Sequence, residues 1–180
     1  MQRDDETQYG LGVKHKVVVL VEPDDRWAEA YAREAACIRK VLGDLAVDIQ
    51  HFGSTSIPAI KAKPIIDLLV GVRRFEDGIA CVGPMQSIGY EYAGADIVPD
   101  DHIFGKGIPQ LTRTHLAHIV EHGGFHWRRN LLFRDRLRGD AALAFAYEAF
   151  KVSLAERHPD DRAAYTDAKK AFIDSVVKTS

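Results

Sequence analysis

The stretch HFGSTSIPAIKAKPIIDLLVGV, from His51 to Val72, carries the residue types that phosphate chemistry uses. Gly53-Ser54 falls where one apolar run ends, and Asp67 stands inside the next. A glycine at such a turn lets backbone N–H groups approach a phosphate, and Ser54, Thr55 and Ser56 add hydroxyl donors. Lys61 and Lys63 bring positive charge nearby. A carboxylate on the neighbouring strand can hold Mg²⁺ by oxygen, bridging to substrate phosphates. The competing reading is a Gly-Ser turn whose hydroxyls cap the backbone, with Asp67 hydrogen-bonded inside the sheet. Local chemistry leaves both open. The aspartate tilts the balance, because a carboxylate in an apolar strand is costly without partners or a role. Spacing excludes two other sites. A Walker loop needs a second glycine followed by lysine, and a hydrolase elbow needs G-x-S-x-G.

Two further clusters bear on chemistry. His115, His118, His122 and His126 crowd one segment, with His51 and His102 elsewhere. If RTHLAHIVE is a strand, His115 and His118 point to opposite faces and cannot share one metal. The spacing matches neither H-E-x-x-H nor a zinc finger. The run WRRNLLFRDRLR supplies five arginines. On a helix Arg134 and Arg138 share a face, and Asp135 can pair with Arg138. That face is either an anion clamp, using the bidentate geometry of arginine, or a solvated surface with local ion pairs.

The elements that must position these residues follow from periodicity. Val17–Val21 reads as a short strand or extended lead-in stopped by Pro23. Trp27, Ala30, Tyr31, Ile38, Val41 and Leu42 recur at helical spacing between Asp24-Asp25 and Gly43. Leu45–Phe52 and the run PIIDLLVGV read as strands, the second buried on both faces at the centre of a sheet. Residues 76–90 read as a helix interrupted at Gly83-Pro84. Residues 91–112 read as a long loop or hairpin, with strand pieces near Ile97 and Ile103-Phe104. Arg113–Glu121 is a further strand. From about Phe125 the chain reads as three helices, the last two separated at His158-Pro159-Asp160. This order predicts an α/β or α+β fold with a helical C-terminal part. It divides as a polar tail at 1–14 and one domain over 15–180, helical from about 125.

Composition narrows the function. A formal net charge of −2 argues against a nucleic-acid coat, yet leaves room for a small anion held by local cations. Cys37 and Cys81 read as reduced core thiols of a cytosolic protein. No apolar run approaches the ~20 residues of a membrane span. The first residues lack the basic start and apolar stretch of a signal peptide. The expectation is a cytoplasmic protein with a small-molecule or nucleotide partner, without nucleic acid or membrane.

The His51–Val72 block resembles the signature of the GrpB family, also called UPF0157. The segments RTHLAHIVE and FRDRLR and the spacing of Tyr165, Lys169 and Phe172 agree with it. The resemblance implies a nucleotidyltransferase-like mixed β-sheet flanked by helices. Members of that superfamily transfer a nucleoside monophosphate with Mg²⁺, from a nucleoside triphosphate. Related domains occur fused to dephospho-CoA kinase. The superfamily pattern is Gly-Ser after one strand, then an acidic-x-acidic pair on the next. Gly53-Ser54 and Asp67 match it, whereas Leu69 stands where the second acid belongs. The resemblance implies Asp67, His118 and Ser54 as catalytic groups, His118 replacing a third carboxylate. It implies Gly53, Ser54, Thr55, Ser56, Lys63, His115, Arg134 and Arg138 as substrate or phosphate contacts, and Asp67 and His118 as metal ligands. The corresponding functions are a nucleotidyl transfer enzyme or a ligand-binding module that has lost the second carboxylate.

Overall fold

Asp24 opens the first helix by accepting a hydrogen bond from the Arg26 N–H at 2.9 Å. Helix α1 runs Arg26–Leu42 and ends at Gly43, whose φ of 50° suits a glycine. Trp27, Ala30, Ile38 and Leu42 form its buried stripe. A 3₁₀ turn at Gly43–Leu45 then delays the next strand, so the sheet begins at Asp48 and not at Leu45. The computed structural model that shows this describes residues 9–14, 16–108 and 112–178.

The main sheet has five strands. They are β2 (Asp48–Phe52), β3 (Ile66–Val72), β4 (Tyr90–Val98), β5 (Asp101–Lys106) and β7 (His115–Glu121). Their spatial order is β2-β3-β7-β5-β4. β3 and β7 pair in parallel and the other neighbours are antiparallel, so the sheet is mixed. A separate two-stranded pairing joins β1 (Val13–Lys14) to β6 (Thr112–Arg113). Of residues 1–14, the first eight lie outside the described residues, while Tyr9 and Val13 are buried.

The two faces of β3 divide the molecule. Ile66, Leu68, Val70 and Val72 pack with α1 and with Met85 of α2 (Val82–Ser87) in the larger core. Fully burying such a side chain stabilises by about 1.5–3 kcal/mol. Asp67 and Leu69 face the other way, toward α3 (Phe125–Gly139), α4 (Ala141–Arg157) and α5 (Arg162–Lys178). Leu69 packs there with Val120 and Trp127.

One open choice is settled, in favour of an extended lead-in, and one expectation gives way. Val17–Val21 is β-branched but joins no sheet. Only Val21 bridges to Ala62, and the Val18 N–H donates to the Pro159 carbonyl at 2.9 Å. Tertiary contact with Leu154 and Tyr165 overrides its strand propensity. The segment before β4 is a 3₁₀ turn, Phe75–Cys81, that runs into α2. Pro84 falls within the first turn of α2, where its missing N–H costs nothing. Residues 91–106 resolve the choice between loop and hairpin in favour of the β4–β5 hairpin.

Candidate functional site

The chain leaves β2 at Phe52 and turns at Gly53, with φ 69° and ψ −177°. That combination is open essentially to glycine alone. A Cβ placed there would lie 2.1 Å from Oδ2 of Asp67. The backbone of Gly53 thus rests directly against the carboxylate of the next strand, in register with Phe52 opposite Asp67. Ser54–Ser56 continues as one 3₁₀ turn.

Gly53, Ser54 and Asp67 open into a cavity of about 350 Å³. Lys63, His118, Arg134, Tyr147, Arg162, Tyr165 and Lys169 also line it. Apolar side chains from the β4–β5 hairpin, β7 and the helices, among them Ile103, Leu116 and Phe133, complete the wall. The volume falls at the lower end of the range for small-molecule sites.

The expected site residues separate into two groups. Gly53, Ser54, Lys63, Asp67, His118 and Arg134 meet at the cavity. Thr55, Ser56, His115 and Arg138 do not line it. The Thr55 hydroxyl donates to the Ile65 carbonyl at 3.1 Å, and Ser56 Oγ donates to the Gly53 carbonyl at 2.6 Å. Their hydroxyls cap the backbone and brace the turn. His115 is buried on the opposite face of β7 and contacts Thr114 Oγ1 through Nδ1 at 3.0 Å. Arg138 Nε donates to the Ser56 carbonyl at 2.9 Å. Arg134 reaches the cavity, but its NH1 donates to Gln50 Oε1 at 2.9 Å and to the His51 carbonyl at 3.0 Å. Both arginines tie α3 to the glycine turn, and Asp135 pairs with Arg134 at 2.7 Å, not with Arg138.

His51 anchors the same turn from beneath. Its ring stacks on Tyr31 with centroids 4.7 Å apart. Thr55 spends its only hydroxyl proton on Ile65, so His51 Nε2 donates to Thr55 Oγ1, at 3.0 Å. Burial, with Arg138 and Arg134 nearby, pushes the imidazole down to about 3.

His118 is fixed by a residue that sequence reasoning missed. Its Nδ1 lies 2.6 Å from Oδ2 of the buried Asp101, at the start of β5. The remaining ring nitrogen, Nε2, is the one left for the cavity. Burial lowers the imidazole, but the charge and hydrogen bond of Asp101, with Asp67 beyond, outweigh it and raise the group. Asp67 is pushed up by its own burial, while His118, Lys63, Lys169 and Arg162 pull it back.

Helices α4 and α5 contribute groups that only the C-terminal motif hinted at. Tyr147 lines the cavity with Ser54, and burial raises its phenol to about 12. Lys63 Nζ and Lys169 Nζ lie 5.1 Å and 4.8 Å from the centroid of the Tyr165 ring. Burial lowers Lys63 well below the ordinary lysine value, with repulsion from Lys169 and Arg162 adding to it. Lys169 and Arg162 are lowered by burial too, and Asp67 offsets part of that.

This donor set was tested against a metal. Among the described residues no three His, Cys, Asp or Glu side chains converge. Leu69, on the same face as Asp67, is fully buried with Val120 and Trp127, so the place of a second acid is apolar. A two-metal centre held by the protein does not fit. Mg²⁺ favours oxygen donors and commonly takes one carboxylate plus phosphates and water. Asp67 fits an ion that arrives with a phosphate, and the imidazole of His118 does not suit it.

Comparisons with known proteins bear on the family and the fold. A sequence model of the family described as GrpB protein matches residues 17–179. The Glutamate-rich protein GrpB of Alkalihalophilus pseudofirmus is 35% identical over 170 residues, covering 93% of this chain and 98% of that protein. The UPF0157 protein YqkA of Bacillus subtilis is 37% identical over 165 residues, 92% of this chain, which spans only 47% of its length. The crystal structure of conserved protein GrpB from Enterococcus faecalis superposes with a TM-score of 0.80 at 35% identity, over 89% of this chain and 95% of that one. Cid1 in complex with its short product ApU superposes with a TM-score of 0.51 at 15% identity, over 76% of this chain and 43% of Cid1. The likeness to Cid1 is one of fold, and it gives this chain a nucleotidyltransferase-like architecture.

Proposed function

The chain belongs to the GrpB family, and on that premise we propose that it binds a nucleotide or other phosphorylated small molecule at the Gly53–Asp67 cavity and transfers a nucleotidyl group to a small acceptor. The carrying observation is the apposition of Gly53 and Asp67, where a Cβ would fall 2.1 Å from the carboxylate oxygen. Gly53 has no side chain to come between the turn and Asp67, the only carboxylate among the described residues of the cavity wall, and this leaves room for a phosphate at the turn. Arg134 and Arg138 hold the turn itself. Asp101 holds His118, the residue best placed to exchange a proton with an acceptor hydroxyl. Mg²⁺ carried in by the nucleotide would add positive charge at Asp67 and offset that of the phosphates.

The experiment is calorimetry with nucleoside triphosphates and Mg²⁺, together with a turnover assay, on wild type and Asp67→Ala. The proposal expects binding and turnover in the wild type and loss of turnover in the variant. Identical behaviour of the two proteins overturns it.

A second reading rests on Leu69. Its side chain is sealed under Trp127 and beside Val120, so the site has one acid where two-metal transfer uses several. On this reading the cavity binds the same ligand class without transferring anything. Tight nucleotide binding with no turnover toward any acceptor supports it.

A further inference from the structure

Three cations on the cavity wall have no hydrogen-bonding or ion-pairing partner among the described residues. Lys63 precedes β3, Arg162 opens α5, and Lys169 lies two turns further along that helix. None of the three side chains makes a hydrogen bond or ion pair with a described residue, so no carboxylate neutralises them directly. By contrast, Arg134 is held by Gln50, His51 and Asp135, and Lys106 is paired with Glu34 at 2.9 Å. Lys63 and Lys169 share the Tyr165 ring, which holds both ammonium groups near each other. Clustered cations in a half-buried site repel one another and cost stability unless an anion joins them. Among the described residues Asp67 is the single negative charge on the cavity wall, and three cations leave an excess.

We propose that Lys63, Arg162 and Lys169, arrayed around Tyr165, form a subsite for a polyanion of at least two linked phosphates, and that this subsite binds it without a divalent metal. Arg162 and Lys169 place it on the α5 side of the cavity, and Lys63 reaches it from the segment before β3. Its charge takes the place of the second metal that Leu69 denies the site. The inference rests on the reading of the cavity as a phosphate-ligand site and deepens it by naming the group recognised. Arginine supplies a planar fork for phosphate oxygens, and the two lysines act as point charges on either side.

Inorganic pyrophosphate in metal-stripped buffer, titrated calorimetrically into the full chain, tests this. Wild type binds it, and binds inorganic phosphate more weakly. Lys169→Met and Arg162→Met each weaken pyrophosphate binding by about tenfold or more, as expected for a lost charged hydrogen bond. Lys169→Arg retains binding, and thermal melts show whether each variant is folded. Two results overturn the proposal. One is pyrophosphate binding that appears only when Mg²⁺ is added. The other is unchanged affinity in folded Lys169→Met and Arg162→Met. Either result leaves the nucleotide reading at Asp67 standing, because that reading is tested by Asp67→Ala.

Discussion

The backbone of Gly53 lies against the carboxylate of Asp67, so that a Cβ on the glycine would fall 2.1 Å from Oδ2. Two strands that pair antiparallel, β2 and β3, create this contact by placing Phe52 opposite Asp67. Gly53→Ala must therefore move the turn or the carboxylate, and its φ of 69° with ψ near 180° adds backbone strain. The expected cost is about 1–3 kcal/mol of stability. Denaturant unfolding measures it, and ligand affinity should fall with it because the turn no longer rests on Asp67.

Leu69→Asp restores the acidic pair on paper. In the fold it buries a carboxylate among Val120 and Trp127. The expected result is destabilisation of about 3–5 kcal/mol, from lost packing and an unpaired buried charge. A thermal melt lower than wild type, with no new metal-dependent turnover, is the predicted outcome. A stable variant that gains turnover would show that the apolar pocket can open to accept a second acid.

The turn beneath the site is sensitive to acid. His51 is buried neutral, with its imidazole pushed down to about 3 from an ordinary 6.5. The unfolded chain therefore takes a proton that the folded chain refuses. Stability present above pH 6.5 is lost as pH falls from there toward 3, by about 1.4 kcal/mol per pH unit from this group. His51→Gln keeps a donor for Thr55 and cannot titrate. Urea midpoints measured between pH 6 and 4 should fall less steeply in the variant than in wild type, on the order of one group's slope.

Arg134 and Lys169 both line the cavity and should respond oppositely to truncation. Arg134→Met strips hydrogen bonds from Gln50 and the His51 carbonyl, and should cost about 1.5–3 kcal/mol. Lys169→Met removes an ammonium whose largest penalty is its own burial, with attraction to Asp67 offsetting part of it and repulsion from Arg162 adding to it, and should raise stability modestly. Paired thermal melts in low salt make the comparison. A drop in both would show that Lys169 is as structural as Arg134.

What the sequence revealed depended on whether a residue's neighbours were close along the chain. Gly53, Ser54 and Asp67 sit at the end of one strand and inside the next, so a glycine-strand-acid pattern exposed them. The two-residue period of β7 set His118 and His115 on opposite faces, and the family resemblance singled out His118. Asp101 was invisible, because its role exists only through the antiparallel register that sets Ile103 beside His118. Tyr147 and Arg162 follow Gly53 by 94 and 109 residues, on helices whose periodicity says nothing about that cavity. Tyr165 and Lys169 entered only as part of a family spacing, without a role. Arg134 and Arg138 looked like an anion clamp because charge alone does not tell a ligand's phosphate from a backbone carbonyl. The β-branched run Val17–Val21 imitated a strand, and only contact with Leu154 and Tyr165 shows that it lines the helical layer.

The most direct measurement is a titration of the ¹⁵N-labelled protein with a Mg²⁺–nucleoside triphosphate, followed by amide shifts. The account predicts saturable shifts centred on Gly53, Ser54, Asp67 and His118, extending to Lys169 on α5. The shifts at Gly53 and Ser54 should be reduced in Asp67→Ala. Saturable binding with shifts confined to other parts of the chain, or none at Gly53 and Ser54, would contradict the assignment of this cavity.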